Sequence, residues 1–195
     1  MNMDKEKELP RRKHSRLSNY DYSSAGAYFV TICTQNRICT LSRIVGRGLA
    51  HAEKNVIEYT QVGQVAEKQL FLLEERYSSL KIDRYVIMPN HIHIIMMLGK
   101  ESAGASPRPT IMDIICTYKS LTTKECRKLG FEEKLFQPSF YEHIIRGRED
   151  YDEIVKYIYE NPRAWYLDEL YSEKQDEENV RIICGDLYGQ KRDIG

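Results

Sequence analysis

The sequence predicts an α+β fold of the ferredoxin-like, split β-α-β type: an antiparallel sheet with helices on one face, followed by an additional C-terminal helix. Four short segments rich in β-branched and aromatic residues alternate with two long segments whose apolar residues have helical spacing. The resulting order is strand, helix, strand, strand, helix, strand. A length of 195 residues suits one domain with a sizeable core.

The first half of this pattern begins with AYFVTICT, residues 27–34, whose β-branched and aromatic residues predict a strand. Residues 35–54 predict a loop or a hairpin, because glycines interrupt the segment. From Val56 to Tyr77 the apolar residues recur at helical spacing, which predicts the first helix.

Two further strands are predicted at IDRYVIM, residues 82–88, and HIHIIMML, residues 91–98. Pro89 and Asn90 between them are a turn signal, so the two strands are expected to form a tight hairpin. Residues 99–110 are rich in Gly, Ser and Pro and predict a loop.

The second half continues with a helix from Ile111, for which Gly130 is the expected stop. SFYEHIIR, residues 139–146, predicts the fourth strand. The last helix begins near Arg148, carries acidic residues in its first turn, and ends before Pro162.

Charge is balanced overall but not along the chain. Lys and Arg number 29, as do Asp and Glu, so the net charge predicts neither a nucleic acid nor a membrane partner. Residues 5–16 hold six Lys or Arg against two Glu, within a basic N-terminal arm at residues 1–26. Such an arm either follows phosphates or is simply solvated. Residues 168–178 hold six acidic residues against one Lys, within a charged extension at residues 167–195.

The five cysteines form no CxxC pair, which favours free thiols in a reducing cytoplasm. The charged N-terminus lacks the apolar segment of a signal peptide, and no apolar run approaches the ~18 residues of a membrane span. We therefore expect a soluble intracellular protein that does not enter a membrane.

His91 and His93 are the first candidate functional residues. Alternate residues of a strand project from the same face, so the two imidazoles lie side by side and could hold one metal ion. The alternative is a pair of hydrogen-bonded structural histidines. In the last helix, Tyr157 and Asn161 are four residues apart and share a face. The carbonyl oxygen of Asn161 could supply a third ligand, with Tyr157 above the metal, although Tyr157 could instead pack in the core.

Three segments together resemble the HUH single-tyrosine nucleases and transposases, and within them the REP-associated tyrosine transposases. They are RRKHSRLSNYDYSSAGAYFVTICTQNR, the histidine strand YVIMPNHIHIIMM, and the closing segment FQPSFYEHIIRGREDYDEIVKYIYENPRAW. These segments cover most of residues 11–166, so the resemblance implies that residues 1–166 form a transposase domain of this type.

The resemblance implies His91, His93 and Asn161 as metal ligands and Tyr157, on the catalytic C-terminal helix, as the nucleophile. Two imidazoles and one amide oxygen suit Mg²⁺ or Mn²⁺ as the divalent cofactor. The implied activity is cleavage and transfer of single-stranded DNA beside a hairpin, through a covalent 5′-phosphotyrosine, in the bacterial cytoplasm. A homodimer is left open. Candidate phosphate contacts are Arg11, Arg12, Lys13, Arg16 and Lys119.

Two other functions are compatible with the sequence. One is a non-cleaving protein, derived from a transposase, that binds nucleic acid by sequence or structure. The other is a metal-dependent phosphodiesterase that uses water as its nucleophile. The presence of the tyrosine, both histidines and the asparagine favours cleavage through the tyrosine.

Overall fold

The computed structural model describes residues 21–45, 56–99 and 109–172. In chain order its elements are β1 (Gly26–Cys33), β2 (Ser42–Val45), β3 (Val56–Tyr59), α1 (Gln61–Arg76), β4 (Leu80–Ile87), β5 (His91–Leu98), α2 (Ile111–Lys128), β6 (Tyr141–Ile145) and α3 (Arg148–Glu160). The predicted α+β class is confirmed, with a mixed fold built on an antiparallel sheet.

The main sheet has the strand order β4-β5-β1-β6, and its neighbouring strands are antiparallel. This is the order of a split β-α-β fold, in which β1 and β5 lie at the centre. A separate two-stranded sheet pairs β2 with β3. The histidine strand therefore lies inside the main sheet, where hydrogen bonds to two neighbouring strands fix its backbone.

A separate cluster of buried residues packs on each face of the main sheet. Helices α1 and α2 pack on one face, where Ile92 and Ile94 of β5 join the larger cluster of buried residues. Helix α3 packs on the other face, where Ile158 meets Phe29 of β1 and Ile95 of β5. The two predicted helices thus share a face, and the additional C-terminal helix covers the opposite one. The odd-numbered residues of β5, including both histidines, point toward α3.

The prediction that the first helix begins at Val56 is wrong. Residues Val56–Tyr59 form β3 and pair with Ser42–Val45, and the helix begins at Gln61. Thr60 caps it, since its side chain accepts a hydrogen bond from the backbone N–H of Gly63. Val56 and Tyr59 suit a helix by their spacing and a strand by their residue type, and pairing with β2 decides between the two.

The predicted stop after α2 is confirmed. The helix ends at Lys128, and Gly130 follows with a left-handed φ of 88°. At the other end Thr110 and Asp113 form a capping box. Within the described residues, no helix combines the length and apolarity needed to cross a membrane.

We expect Gly63→Ala to destabilise the fold. A Cβ atom at residue 63 would lie 1.9 Å from the carbonyl oxygen of Leu41, so the start of α1 would have to move away from that backbone. Overpacking of this kind costs about 1–3 kcal/mol. Thermal or urea unfolding measures the change, with Gln64→Ala at the next, exposed position as the matched control. Equal stability of the two variants would contradict the close approach.

Candidate active site

His91 and His93 are side by side on the face of β5 that α3 covers. Their ring centroids are 4.4 Å apart, and their side chains are 0% and 2% exposed. Burial, together with the positive charge of Arg37, lowers the pKa of His91 to about 3. Burial also holds the pKa of His93 well below its usual value, as does the neighbouring His91. Both imidazoles are therefore neutral at physiological pH, the form in which a ring nitrogen can bind a metal.

Asn90 fixes the tautomer of His91. The Nδ2 of Asn90 donates to the carbonyl oxygens of Arg37, at 3.2 Å, and of Leu170, at 2.8 Å. Both amide hydrogens are thereby used, and Oδ1 is left to face His91 Nδ1 at 2.9 Å. Because Oδ1 only accepts, Nδ1 of His91 carries the proton. The lone pair of His91 is consequently on Nε2.

A hydrogen bond from β1 orients the ring of His93. Its Nδ1 lies 2.9 Å from the hydroxyl of Thr31, the residue opposite it in the sheet register. Its other ring nitrogen, Nε2, lies 3.3 Å from the hydroxyl of Tyr157. The central strand therefore orients the imidazole, and the ring presents its second nitrogen to the nucleophile predicted from the sequence.

The last turn of α3 brings Asn161 to the same place. The residue is 3% exposed, and its Nδ2 donates to Asp168 Oδ2 at 2.6 Å. Its Oδ1 is buried and has no hydrogen-bond partner among the described residues, and the same is true of His91 Nε2. Two buried acceptors without a donor are costly unless another group satisfies them. A cation between them would do so.

Asp168 was not predicted from the sequence. Its carboxylate and the ring nitrogens of His91 and His93 all lie within 4.8 Å of one another. Its other oxygen, Oδ1, accepts from the backbone N–H of Leu170 at 2.6 Å. In the sequence Asp168 is the first of several acidic residues that follow the resembling segments. Nothing in residue type or spacing distinguishes it from its neighbours.

Two imidazole nitrogens and a carboxylate thus lie close together, and the amide of Asn161 is joined to them through its bond to Asp168. This mixed nitrogen and oxygen set fits a six-coordinate divalent cation such as Mg²⁺ or Mn²⁺ that retains open positions. It contains no cysteine, which structural zinc sites commonly use. The four residues named by the resemblance are therefore together, joined by a carboxylate.

Comparison with known proteins finds transposases among the similar proteins. A Haemophilus influenzae protein described only as an uncharacterized protein is 30% identical over 175 residues, which is 82% of this chain and 93% of that protein. The REP-associated tyrosine transposase of Escherichia coli K12 is 26% identical over 141 residues, 72% of this chain and 68% of that protein. The chain is therefore similar to REP-associated tyrosine transposases. This similarity supports a transposase-like function.

No family model matches the chain. A solved structure of a REP-associated tyrosine transposase bound to a REP hairpin is 24% identical, with a TM-score of 0.48, over 75% of this chain and 73% of that one.

Tyr157 is the residue for which the resemblance implies the role of nucleophile. Its side chain is 44% exposed and lines an open cleft, while its hydroxyl faces His93. Burial, together with the negative charge of Asp168, raises the pKa of Tyr157 to about 12. Tyr159 lies elsewhere on α3, with the guanidinium of Arg163 5.5 Å from its ring centroid. Among the tyrosines of α3, Tyr157 thus faces the histidines.

The predicted DNA contacts of this transposase relative are only partly within the described residues. Arg11, Arg12, Lys13 and Arg16 lie outside them. Lys119 on α2 is half-buried, and its ammonium group donates to the carbonyl oxygens of Gln137, Pro138 and Ser139. All three of its hydrogens have protein acceptors. A phosphate contact by Lys119 stays a prediction, and it would require exchange of one of these bonds.

Proposed function

We propose that this protein is a metal-dependent endonuclease and strand transferase acting on hairpin-flanked single-stranded DNA through a covalent 5′-phosphotyrosine. The observation that carries the proposal is the 3.3 Å approach of the Tyr157 hydroxyl to His93, beside the cluster of His91, His93 and Asp168. The buried Oδ1 of Asn161, which lacks a hydrogen-bond partner among residues 21–45, 56–99 and 109–172, supports a cation in that cluster.

In the proposed reaction, the hydroxyl oxygen of Tyr157 attacks the scissile phosphorus, and the bond from phosphorus to the 3′-oxygen breaks. The phenolic proton is lost and the departing 3′-oxygen gains one, so no further reactant is needed. The products are a tyrosine ester of the DNA 5′-phosphate and a free 3′-hydroxyl. Because the tyrosine ester retains the energy of the broken phosphodiester bond, a strand 3′-hydroxyl can attack the ester and regenerate Tyr157. Strand transfer is thereby possible.

His91, His93, Asn161 and Asp168 would hold the divalent cation. The chemistry that such a cation supplies when bound is charge neutralisation and orientation at a non-bridging phosphate oxygen. Asp168 has a second effect, because its negative charge disfavours the Tyr157 phenolate in the absence of a compensating positive charge. Asn90 and Thr31 keep both imidazoles in the orientation that directs Nε2 into the cluster.

A cleavage assay with labelled hairpins that carry randomised single-stranded flanks tests this function. We expect a covalent protein–DNA species with Mn²⁺ and none with EDTA. Cleavage without a covalent species would indicate water as the nucleophile. Binding without cleavage at any metal concentration would indicate a nucleic-acid-binding protein, so both outcomes contradict the proposal.

We expect Asn90→Ala to weaken the metal site. Without the Oδ1 acceptor, the proton of His91 is free to move to Nε2, and the neutral ring loses the nitrogen that would bind the cation. Loss of such an orienting partner typically costs about 10–100-fold in metal affinity. Titration with Mn²⁺ by calorimetry measures it. The matched variant Thr31→Val tests His93, and unchanged affinity in both variants would show that these contacts do not orient the ligands.

The basic arm is proposed to add phosphate contacts through Arg11, Arg12, Lys13 and Arg16. Each phosphate neutralised by Lys or Arg steepens the dependence of binding on salt concentration. Deleting residues 1–16 should therefore flatten the slope of hairpin binding against salt. A slope equal to that of the full chain would mean that these residues are solvated and do not contact phosphates.

A further inference from the structure

We infer that Tyr141 provides a stacking surface for an unpaired nucleobase next to the scissile phosphate, an inference that rests on the proposed function. Tyr141 lines the same open cleft, of about 880 Å³, as Tyr157 and His93. The ligand class is an unpaired nucleotide whose base carries an exocyclic amino group.

The position of Tyr141 follows from the sheet register. Tyr141 of β6 is opposite Thr31 of β1, which is opposite His93 of β5, so the three side chains form one row on the face toward α3. Two strand spacings separate the backbones of Tyr141 and His93, which is about 10 Å. A base held at Tyr141 can therefore belong to a nucleotide whose neighbouring phosphate is at the histidines.

The ring of Tyr141 is available to a ligand. Its side chain is 52% exposed. In the part of the chain that the structure describes, its ring makes no contact with another ring and its hydroxyl makes no hydrogen bond. Stacking of a nucleobase on an aromatic side chain is a common mode of single-strand recognition and is tolerant of sequence. An exposed aromatic ring in the cleft of a proposed single-strand nuclease fits that use.

The backbone that leads into Tyr141 is held in place before any ligand binds. The ammonium group of Lys119 binds three successive carbonyl oxygens of residues 137–139. The backbone N–H of Gln137 donates to the carbonyl oxygen of Cys33 at 3.0 Å. A surface fixed in this way costs little ordering entropy when a ligand binds. Lys119 is thus a positioning residue for the stacking surface.

The charges of the cleft indicate which part of a nucleotide enters it. Its charged lining residues are Glu160, Asp168 and Glu169, and no Lys or Arg lines it within residues 21–45, 56–99 and 109–172. Carboxylates repel a phosphate but accept hydrogen bonds from the amino groups of adenine, cytosine and guanine. The cleft is therefore suited to a neutral base with an amino group, with its phosphates outside or at the cation.

Binding of three short probes to the full chain in EDTA tests the inference: a dodecamer of deoxyadenosine, one of thymidine, and an abasic chain of equal length. Tyr141→Ala should weaken binding of the adenine probe at least about fivefold and leave the abasic chain unchanged. Tyr141→Phe keeps the ring and should bind nearly as the native protein does. The native protein should prefer the adenine probe to the thymidine probe, because thymine has no amino group.

Tyr159→Ala is the matched control, since Tyr159 is 69% exposed and is not among the cleft residues. Equal weakening by Tyr159→Ala, or equal weakening of the abasic chain by Tyr141→Ala, would overturn the stacking surface. The covalent assay separates this inference from the proposed function. An adduct that forms while Tyr141→Ala binds every probe normally refutes only the stacking surface. Base-dependent binding without an adduct refutes only the phosphotyrosine chemistry.

Discussion

Tyr157→Phe should eliminate the covalent protein–DNA species and lower hairpin cleavage by about four orders of magnitude or more. The substitution removes one oxygen atom, the one that lies 3.3 Å from His93 Nε2. The ring remains to pack edge-on against Phe29, at 6.1 Å between centroids, so the fold and the DNA affinity should change little. Single-turnover cleavage with Mn²⁺ measures the rate, and mass spectrometry of the trapped adduct locates the nucleotide.

Tyr159→Phe and Tyr141→Phe are the matched controls. Tyr159 lies beside Arg163, away from the histidines, while Tyr141 shares the cleft with Tyr157 but belongs to the edge strand β6. Both variants should form the adduct at close to the native rate. A nucleotide attached to another tyrosine, or native cleavage by Tyr157→Phe, would show that Tyr157 is not the nucleophile.

Regular periodicity explains why the histidine strand was predictable. A period of two places His91 and His93 on one face of β5, and a spacing of four places Tyr157 and Asn161 on one face of α3. Periodicity does not predict that both elements pack on the same side of the sheet. That prediction comes only from the resemblance. The structure adds the distance between the hydroxyl of Tyr157 and His93, which depends on how α3 is seated on Phe29 and Ile95.

The position of Asp168 could not be predicted from periodicity. Asp168 follows α3 in an irregular segment, where no periodicity relates a residue to a face. Its position depends on contacts between distant parts of the chain: Leu170, which binds Asp168 through its N–H, is anchored through its carbonyl by Asn90 in the β4–β5 turn. The start of α1 was mispredicted for a related reason, because only pairing with β2 makes Val56–Tyr59 a strand.

Asn90 was predicted only as a turn residue. Pro89 and Asn90 do connect β4 to β5, but the side chain of Asn90 is 1% exposed and lies against His91 Nδ1. One buried amide thus serves the turn, the tautomer of His91 and the segment that carries Asp168. Sequence alone shows the residue type at the turn, whereas its hydrogen-bond partners follow from tertiary structure.

His91→Ala should reduce Mn²⁺-dependent cleavage to the level seen with EDTA while leaving most of the hairpin binding. The substitution removes Nε2, a buried acceptor that faces the cluster and has no hydrogen-bond partner in the part of the chain that the structure describes. DNA affinity should persist, because we expect the proposed phosphate contacts elsewhere on the protein to supply most of it. Calorimetric titration with Mn²⁺ and cleavage of the same labelled hairpin measure the two properties separately.

The matched control for His91→Ala is His143→Ala on β6. His143 is a partly exposed histidine whose Nε2 pairs with Asp150 at 2.9 Å, outside the cluster. The His143→Ala variant should retain native Mn²⁺ affinity and native cleavage. A loss of these properties in His91→Ala then depends on the position of the imidazole and not on the number of histidines. Because the pKa of His91 is lowered to about 3, protonation of this ligand does not compete with Mn²⁺ at pH 6, and the contrast between the variants should be the same at pH 6 and pH 8. Equal Mn²⁺ affinity in the native protein and in His91→Ala would mean that the cation, if one binds, is held without His91.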